Sequence, residues 1–309
     1  MSKDKYKKFN LVIPVLNGGD IFKENLIYIK SIAYLFDNVY ISITYGTGYN
    51  EDKYNCLKSE IKNLVLLSFD QMSLVKNFDF IFSNVQESYL FILGHDDIPL
   101  DSGIRELQSL ILYSPSHPCS CFGSNLWLND KNGAFEHSIL SSDKSMKKFD
   151  FIKNRIKNEF SLNQSGMVCH SSEVNRFRNL LITNQNSYWH DMMLITTPGV
   201  HTILESSKPV SKVGTHPAQL SRNIPDFEQY VQSGMWYHFI QSCYSRDFLS
   251  WKILISHFFL LASYISKPSV YKYTKLLLKD CILSWENSLK YFYTYLSVFY
   301  VLIRLSIYK

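Results

Sequence analysis

Hydrophobic and polar residues follow two alternating patterns in the N-terminal third of the chain. Short apolar runs at residues 9–15, 39–43 and 64–67 have the length of single buried strands. The segment after the first run has apolar residues every third or fourth position, the spacing of a helix with one buried face, at Phe22, Leu26, Ile29, Ala33 and Phe36. A similar helical segment follows the third run, at about residues 72–84. Strands that alternate with helices predict a parallel sheet with helices on both faces.

The next apolar run, residues 89–93, ends in Gly94, His95, Asp96 and Asp97. A buried parallel strand that carries acids at its carboxyl end is how open α/β sheets hold a metal and a nucleotide in the crevice beyond the strands. The alternative is that the two carboxylates simply begin the next helix, since Asp is a favoured helix N-cap. No G-x-G-x-x-G sequence follows the first strand, so a nicotinamide dehydrogenase has little support.

After the two acids the pattern changes. Asp101 and Ser102 predict the cap of a helix with one apolar face, formed by Ile104, Leu107, Leu110 and Ile111. The runs 121–128 and 134–139 then flank a turn at 129–133, which predicts a β-hairpin. A hairpin pairs antiparallel strands, so the sheet is expected to become mixed in this half of the chain.

Four blocks of the sequence, in this order and at typical spacing, resemble the inverting family 2 glycosyltransferases of the GT-A fold. The blocks are LVIPVLNGG (11–19), FILGHDDIPLDSGI (91–104), SGMVCHSSEV (165–174) with WHDMML (189–194), and THPAQLSR (215–222). The resemblance extends from about residue 9 to about residue 225. It implies an α/β fold with a Rossmann-like mixed sheet flanked by helices, followed here by a helical C-terminal appendage.

The same resemblance implies an activity. The donor would be a nucleotide-sugar, a divalent cation (Mn²⁺ or Mg²⁺) would bind its diphosphate, and a carboxylate would deprotonate an acceptor hydroxyl for in-line attack at the anomeric carbon. The chemistry requires these parts independently. A leaving nucleoside diphosphate gains charge that a hard cation with oxygen ligands can neutralise. The base must lie within hydrogen-bonding distance of the attacking hydroxyl, and Asp is a usual choice.

The resemblance assigns catalytic and metal-binding roles to three residues. Asp96 matches the last acid of the family's D-x-D motif and is the predicted metal ligand, whereas Gly94 stands where that motif often has its first Asp. His216 matches a position that supplies a second ligand in some relatives, and imidazole suits Mn²⁺ better than Mg²⁺. Asp191 matches the general base. The adjacent His190 is a chemical alternative as base, and Asp191 as a helix cap is the structural one.

The resemblance also identifies a donor-binding set, namely Pro14, Val15, Asn17, Thr44, Asp96, Asp97, Gly166 and Arg222. Thr44 occupies the place at the end of the second strand where the family commonly has an Asp that reads the base. Its hydroxyl can bind a pyrimidine edge but has no charge, and uridine diphosphate remains the expected nucleotide. Arg222 can neutralise phosphate through a bidentate contact, or it is an ordinary surface residue.

Composition bears on location and partners. The chain has 309 residues, a formal net charge of +5 and six cysteines, none in the paired spacing of a zinc site. Residues 1–8 are charged and the first apolar run covers only residues 9–15, so we expect no secretory signal and a cytoplasmic protein with free thiols. The basic residues form no stripe with interleaved aromatics, which argues against nucleic-acid binding.

The positive charge is concentrated in the tail. Residues 236–309 hold nine Lys or Arg against three Asp or Glu, whereas residues 1–235 hold 23 against 24. Two uncharged, aromatic-rich runs in the tail, 253–266 and 291–303, are shorter than the ~20 residues of a membrane-spanning helix. We therefore predict a catalytic domain at 1–235 and a helical tail at 236–309. The tail either lies on the anionic inner face of the cell membrane or packs on the catalytic domain or a second subunit of a homo-oligomer.

Together these features predict an enzyme that transfers a sugar from a nucleotide-sugar to a glycan, expected to be a lipid-linked surface polysaccharide, at the cytoplasmic face of the membrane. A different class of function is a non-catalytic sugar-nucleotide-binding or assembly subunit, which Gly94 and Thr44 in place of expected acids would suit. Asp191 distinguishes the enzyme from the non-catalytic subunit, because a protein without catalytic activity does not need a general base. A nucleotidyltransferase fits less well, since the glycine-rich, basic N-terminal loop expected there is missing.

Overall fold

The computed structural model describes residues 7–15, 19–44, 51–69, 74–115, 118–128, 135–137, 144–147, 150–151, 164–181 and 202–214. All of them belong to the first of two compact units into which the chain divides, residues 1–186 with 190–216. The second unit, residues 187–189 with 217–309, lies outside the described residues. The tail from residue 236 and the domain boundary at 235 therefore stay predictions.

The first half of the fold alternates strands and helices as the sequence predicts. Its elements are β1 (Phe9–Val15), α1 (Gly19–Ile32) with a 3-10 turn (Ala33–Leu35), β2 (Asn38–Thr44), α2 (Glu51–Glu60), β3 (Leu64–Phe69), α3 (Leu74–Ser83) and β4 (Tyr89–Ile92). The four strands are parallel and lie in the order β3-β2-β1-β4. The predicted parallel sheet is confirmed, and the first strand has the predicted bounds.

The second half extends the same sheet with strands of both directions. Its elements are β5 (Ile98–Pro99), α4 (Asp101–Tyr113), β6 (Ser120–Leu128), β7 (Phe135–His137), β8 (Lys144–Lys147), a 3-10 turn (Gln164–Gly166), β9 (Met167–His170), α5 (Ser171–Leu181) and β10 (Thr202–Val213). The sheet continues β4-β9-β6-β10-β5, with β7 paired to β6 and β8 to β10. Because β9 is antiparallel to both β4 and β6, the sheet is mixed as expected, and the hairpin β6–β7 is confirmed.

Helices cover both faces of the parallel strands. All seven residues of β1 are buried, as expected for a strand with no solvent-facing side. Alternate residues of β1 and β2 share an apolar cluster with α1, α2 and α4 on one face. On the other face, Ser42 of β2 donates a hydrogen bond to Asn77 of α3, and Arg178 of α5 forms an ion pair with Asp79 of α3. The sheet is therefore the central layer of the described unit.

One predicted element begins differently. Asp101 and Ser102 do not cap α4, because the cap residue is Leu100 and no side chain bonds there. The backbone N–H of Leu100 donates to the carbonyl of Val210 at 2.8 Å, so pairing with β10 fixes where the helix starts. The carboxylate of Asp101 instead accepts a hydrogen bond from Arg105 one turn later, at 2.6 Å.

Two further expectations concern cysteines and membrane spans. Cys119, Cys121 and Cys169 are buried free thiols and Cys56 is an exposed one, as predicted for these four positions. Within the part of the chain that the structure describes, no helix has the length and apolar character needed to cross a membrane.

The contact of α4 with β10 gives a stability prediction at Gly103. A β-carbon there would lie 2.1 Å from the carbonyl oxygen of Pro209 and 2.8 Å from the α-carbon of Val210, and these backbone atoms cannot rotate away. We expect Gly103→Ala to lower the free energy of unfolding by about 1–3 kcal/mol, the usual cost of overpacking. The exposed neighbour Ser102 provides the control, and Ser102→Ala should change it by no more than about 0.5 kcal/mol. Equal denaturant midpoints for the two variants would contradict the close packing.

Candidate active site at the carboxyl edge of the parallel strands

The two acids after β4 lie at the carboxyl edge of the sheet. The strands β1 to β4 are parallel, so their carboxyl ends meet at one edge, where open α/β sheets bind ligands. Asp96 and Asp97 lie in a turn between β4 and β5, and α4 begins only at Asp101. The alternative in which they start the helix is therefore wrong.

Asp97 is buried and bonded to two distant segments. Its side chain is only 4% exposed. The hydroxyl of Ser165 donates to its Oδ2 at 2.5 Å, and the backbone N–H of Gly214 also donates to its carboxyl group. Ser165 belongs to the 3-10 turn before β9, and Gly214 follows β10. One carboxyl group thus connects three segments that are far apart in sequence.

Burial raises the pKa of Asp97 well above its ordinary value, and the adjacent charge of Asp96 raises it further. The hydrogen bonds from Ser165 and Gly214 act in the opposite direction, because they stabilise the ionised form, but they do not outweigh the loss of solvation. Folding therefore shifts the protonation equilibrium of Asp97 toward the neutral acid relative to the unfolded chain.

Gly94 is held against these same groups. Its backbone N–H donates to Ser165 Oγ at 2.8 Å, and its carbonyl accepts from the N–H of Asp97 at 3.1 Å. A β-carbon at Gly94 would lie 2.7 Å from Oδ2 of Asp97 and 3.1 Å from Oδ1 of Asp96. The space that a side chain at position 94 would need is already filled by the two acids that follow it. Only glycine fits here without displacing them.

Asp96 is half-buried and lies beside the end of β10. The antiparallel pairing of β5 with β10 matches Ile98 to Lys212, and a β-carbon at Gly214 would lie 3.1 Å from the carbonyl oxygen of Asp96. The preceding residue, His95, has its carbonyl held by Asn25 of α1 at 3.1 Å. The loop that carries Asp96 is thus fixed by both its main chain and its neighbours.

A buried polar network lies under the ends of β1 and β2. Thr44 is only 2% exposed, and its hydroxyl donates to the carbonyl of Val15 at 3.3 Å. Asn77 donates to the same carbonyl at 3.3 Å and to that of Ser42 at 3.2 Å. The structure therefore places Val15 and Thr44, two members of the predicted donor-binding set, next to each other, with Pro14 buried beside them in β1. Sequence reasoning missed Asn77 and Ser42, whose signal is a polar residue inside an apolar strand or helix.

Gly166 is packed against a second polar group. It is buried in the 3-10 turn, and a β-carbon there would lie 2.9 Å from Nδ2 of Asn125. Asn125 accepts a hydrogen bond from the hydroxyl of Ser211 at 2.7 Å. Among the described residues, Oε1 of Gln164, in the same turn, is a buried side-chain oxygen without a hydrogen-bond partner. Ser165 and Asn125 also had no role in the sequence prediction.

Several predicted site residues lie outside the described residues, namely Asn17, His190, Asp191, His216 and Arg222. Their roles stay predictions. The described residues include no cluster of three or more His, Cys, Asp or Glu arranged to hold a metal ion.

The raised pKa of Asp97 gives a testable pH dependence. A carboxyl group with a higher pKa in the folded than in the unfolded chain stabilises the fold fully at low pH and loses that stabilisation as pH rises through the folded value. Asn cannot ionise, so the stability of Asp97→Asn relative to wild type should increase from about pH 5 to about pH 8, measured by denaturant unfolding with a chelator present.

Asp101→Asn is the matched control for this experiment. The pKa of Asp101 is lowered by hydrogen bonds from Tyr34 and Arg105, so it stays ionised over the same range and its difference from wild type should be flat. A flat difference for Asp97→Asn as well would contradict the raised pKa.

Comparisons with known proteins identify the fold. No family model matches the chain, and no curated protein matches it in sequence. The crystal structure of S. aureus TarS 1–349 in complex with UDP-GlcNAc matches with a TM-score of 0.58 and 10% identity, covering 97% of this chain and 91% of that chain. The structures of TarS 1–349 alone and in complex with UDP match with a TM-score of 0.54 and 11% identity over the same shares. The chain therefore shares the fold of TarS, a curled mixed sheet flanked by helices.

Proposed function

We propose that this protein transfers a sugar from a nucleotide-sugar donor to a glycan acceptor, with inversion at the anomeric carbon. The observation that carries the proposal is the position of Asp96, a half-buried acid in a fixed loop at the carboxyl edge of the parallel strands. In open α/β sheets this edge binds nucleotides and their phosphates. The TarS structures with UDP-GlcNAc and UDP support the same class of ligand for this fold.

The donor diphosphate would be held by a divalent cation, Mn²⁺ or Mg²⁺, with Asp96 and His216 as protein ligands. Gly214 adjoins the carbonyl of Asp96, and two residues of extended chain span at most ~7 Å, so the chain length allows His216 to share a cation with Asp96. A carboxylate, an imidazole and phosphate oxygens form a donor set that fits Mn²⁺. When bound, the cation would neutralise the charge that develops on the leaving diphosphate.

Asp191 would act as the general base. Its carboxylate accepts the proton of the acceptor hydroxyl while the hydroxyl oxygen forms a bond to the anomeric carbon. The bond from that carbon to the diphosphate breaks on the opposite face, so the configuration inverts and the nucleoside diphosphate leaves. His190 is the alternative proton acceptor beside it.

Uridine diphosphate is the expected donor nucleotide. Thr44 takes the place of the acid that would bind the base, and it is buried with its hydroxyl donating to the carbonyl of Val15. The base would therefore not be bound by a carboxylate at this position. We infer that Pro14, Val15, Asn17 and Thr44 shape this part of the site mainly through the main chain at the ends of β1 and β2. Gly166 would lie below the donor sugar, and Arg222 would bind phosphate.

The acceptor is proposed to be a lipid-linked surface polysaccharide on the cytoplasmic face of the membrane. The net positive charge and aromatic runs of residues 236–309 support a peripheral membrane contact.

The second candidate function, a non-catalytic sugar-nucleotide-binding or assembly subunit, is favoured by Gly94, which stands where an acid is often found. The packing at Gly94 weakens this argument, because the neighbouring acids fill the space of the missing side chain.

Replacing the proposed base tests the enzyme directly. Asp191→Asn should reduce transfer from UDP-sugars by about a hundredfold or more while leaving UDP affinity within about twofold, because a general base acts mainly in the transition state. His190→Asn is the matched control and should keep most of the activity. If His190→Asn is the inactive variant, the base is His190. If the wild-type protein binds UDP-sugars but transfers none of them to any glycan acceptor, the non-catalytic alternative is correct.

Vesicle binding tests the proposed role of the tail. The full-length protein should sediment with anionic vesicles more than with neutral ones, and less as salt rises, because each basic residue near the surface contributes ~1 kcal/mol that salt screens. Replacing Lys275 and Lys279 together with Gln should weaken binding by about tenfold or more. The exposed pair Lys58 and Lys62 of the described unit is the control, and its replacement should have little effect. Sedimentation that does not depend on lipid charge would favour a packing role.

A further inference from the structure

We propose that Asp97 and Ser165 form a buried positioning pair that fixes the loop of Asp96 relative to the end of β10. This inference rests on the proposed function, in which Asp96 and His216 hold the donor's cation. It assigns Asp97 to the support of the site and not to direct contact with the donor.

The carboxyl group of Asp97 is where three chain segments meet. Ser165, in the turn before β9, donates to it at 2.5 Å. Gly214, which follows β10 and precedes His216 by two residues, donates its N–H to the same carboxyl group. Gly94, at the end of the β4 run, donates its N–H to Ser165 at 2.8 Å. Through these contacts the loop of Asp96 and the chain that leads to His216 share one anchor.

The contacts also argue against the predicted role of Asp97 as a donor-binding residue. It is only 4% exposed, and its Oδ2 is occupied by Ser165. Contact with a nucleotide through this carboxyl group would require both partners to be given up, which leaves buried polar groups unsatisfied. Asp96, the residue before it, is half-buried, and of the two adjacent acids it is the one that we assign to the ligand.

A side chain at position 94 and the carboxyl group of Asp97 would occupy the same space. A β-carbon at position 94 would lie 2.7 Å from Oδ2 of Asp97, so a side chain there would require the Asp97 carboxyl group to move. The chain has the buried acid. The loop is therefore held from inside by the Asp97 carboxyl group, which occupies the space beside Gly94.

Titration calorimetry of UDP binding, with Mn²⁺ and with a chelator, tests the pair in the full-length protein. Loss of a residue that orients a metal ligand commonly costs 10- to 100-fold in metal affinity. Ser165→Ala and Asp97→Ala should each weaken UDP binding by about tenfold or more with Mn²⁺ and by less than about twofold with the chelator. Asp97→Asn keeps an oxygen that accepts from Ser165 and should restore most of the affinity.

Ser120→Ala is the matched control. Ser120 also donates a buried hydrogen bond to a carboxylate, that of Glu173, but it lies at the start of β6, toward the opposite edge of the sheet. Its removal should lower the melting temperature without changing the affinity for UDP with Mn²⁺. If Ser165→Ala behaves like Ser120→Ala, the pair has a general structural role and the proposal is overturned.

The double variant of Gly94 and Asp97 gives an independent result. Gly94→Ala should displace the Asp97 carboxyl and weaken binding with Mn²⁺ about as much as Asp97→Ala does. Adding Gly94→Ala to Asp97→Ala should then cost less than Gly94→Ala costs alone, because the 2.7 Å contact with Asp97 is gone and only the 3.1 Å contact with Asp96 remains. Fully additive losses would contradict the collision.

Amide hydrogen exchange separates failure of this inference from failure of the proposed function. If wild-type protein binds UDP equally with Mn²⁺ and with chelator, the proposed cation site is wrong. The positioning pair is then judged by exchange alone. Ser165→Ala should speed exchange at residues 94–97 and at Gly214, and Ser120→Ala should not. Unchanged exchange at those positions in Ser165→Ala would overturn the pair.

Discussion

The edge of the sheet that we assign to ligand binding depends on one buried carboxyl group. Asp97 loses its solvation on folding, and partners from two distant segments, Ser165 and Gly214, replace part of it. Burial disfavours the charged carboxylate and raises the pKa of Asp97 above its ordinary value, and the two hydrogen bonds offset part of that cost. Because the carboxyl group is buried, its oxygens can bond only to neighbouring protein groups. These hydrogen bonds hold Ser165 and Gly214 in place.

The polar links at this edge lie on an apolar base. Residues of α1, α2 and α4 pack with alternate residues of β1 and β2 in one continuous cluster, which makes the parallel strands rigid. Above that base, Asn77 and Thr44 both bond to the carbonyl of Val15, and Asn25 holds the carbonyl of His95. The core thus positions the strands, while short polar contacts position the loops that leave them.

The sequence was sufficient for the first half of the fold because there the signal is local. A seven-residue buried strand appears as an apolar run, and β1 has the bounds that this run predicts. The strand β5 has only two residues and no pattern of its own, since it exists through pairing with β10 more than a hundred positions away. The start of α4 was misjudged for the same reason, because a bond between Leu100 and Val210 decides it.

Some residues of the candidate site could likewise be recognised from the sequence, and others could not. Asp96 could be found from its position after an apolar run, and the resemblance of motifs supported it. Ser165 and Asn77 could not, because a serine or an asparagine gains its role only from a partner that another segment supplies. Burial of Asp97 was equally hidden, since two adjacent acids look alike in a sequence and differ only in what surrounds them.

This dependence on distant partners changes how a departure from a motif should be judged. Glycine at position 94 reads as the loss of a ligand when the sequence is considered alone. In the structure a β-carbon at position 94 would lie 2.7 Å from the buried carboxyl group of Asp97, so a larger residue there would displace that group. The missing acid therefore says little about whether the protein is catalytic, and that question falls to Asp191.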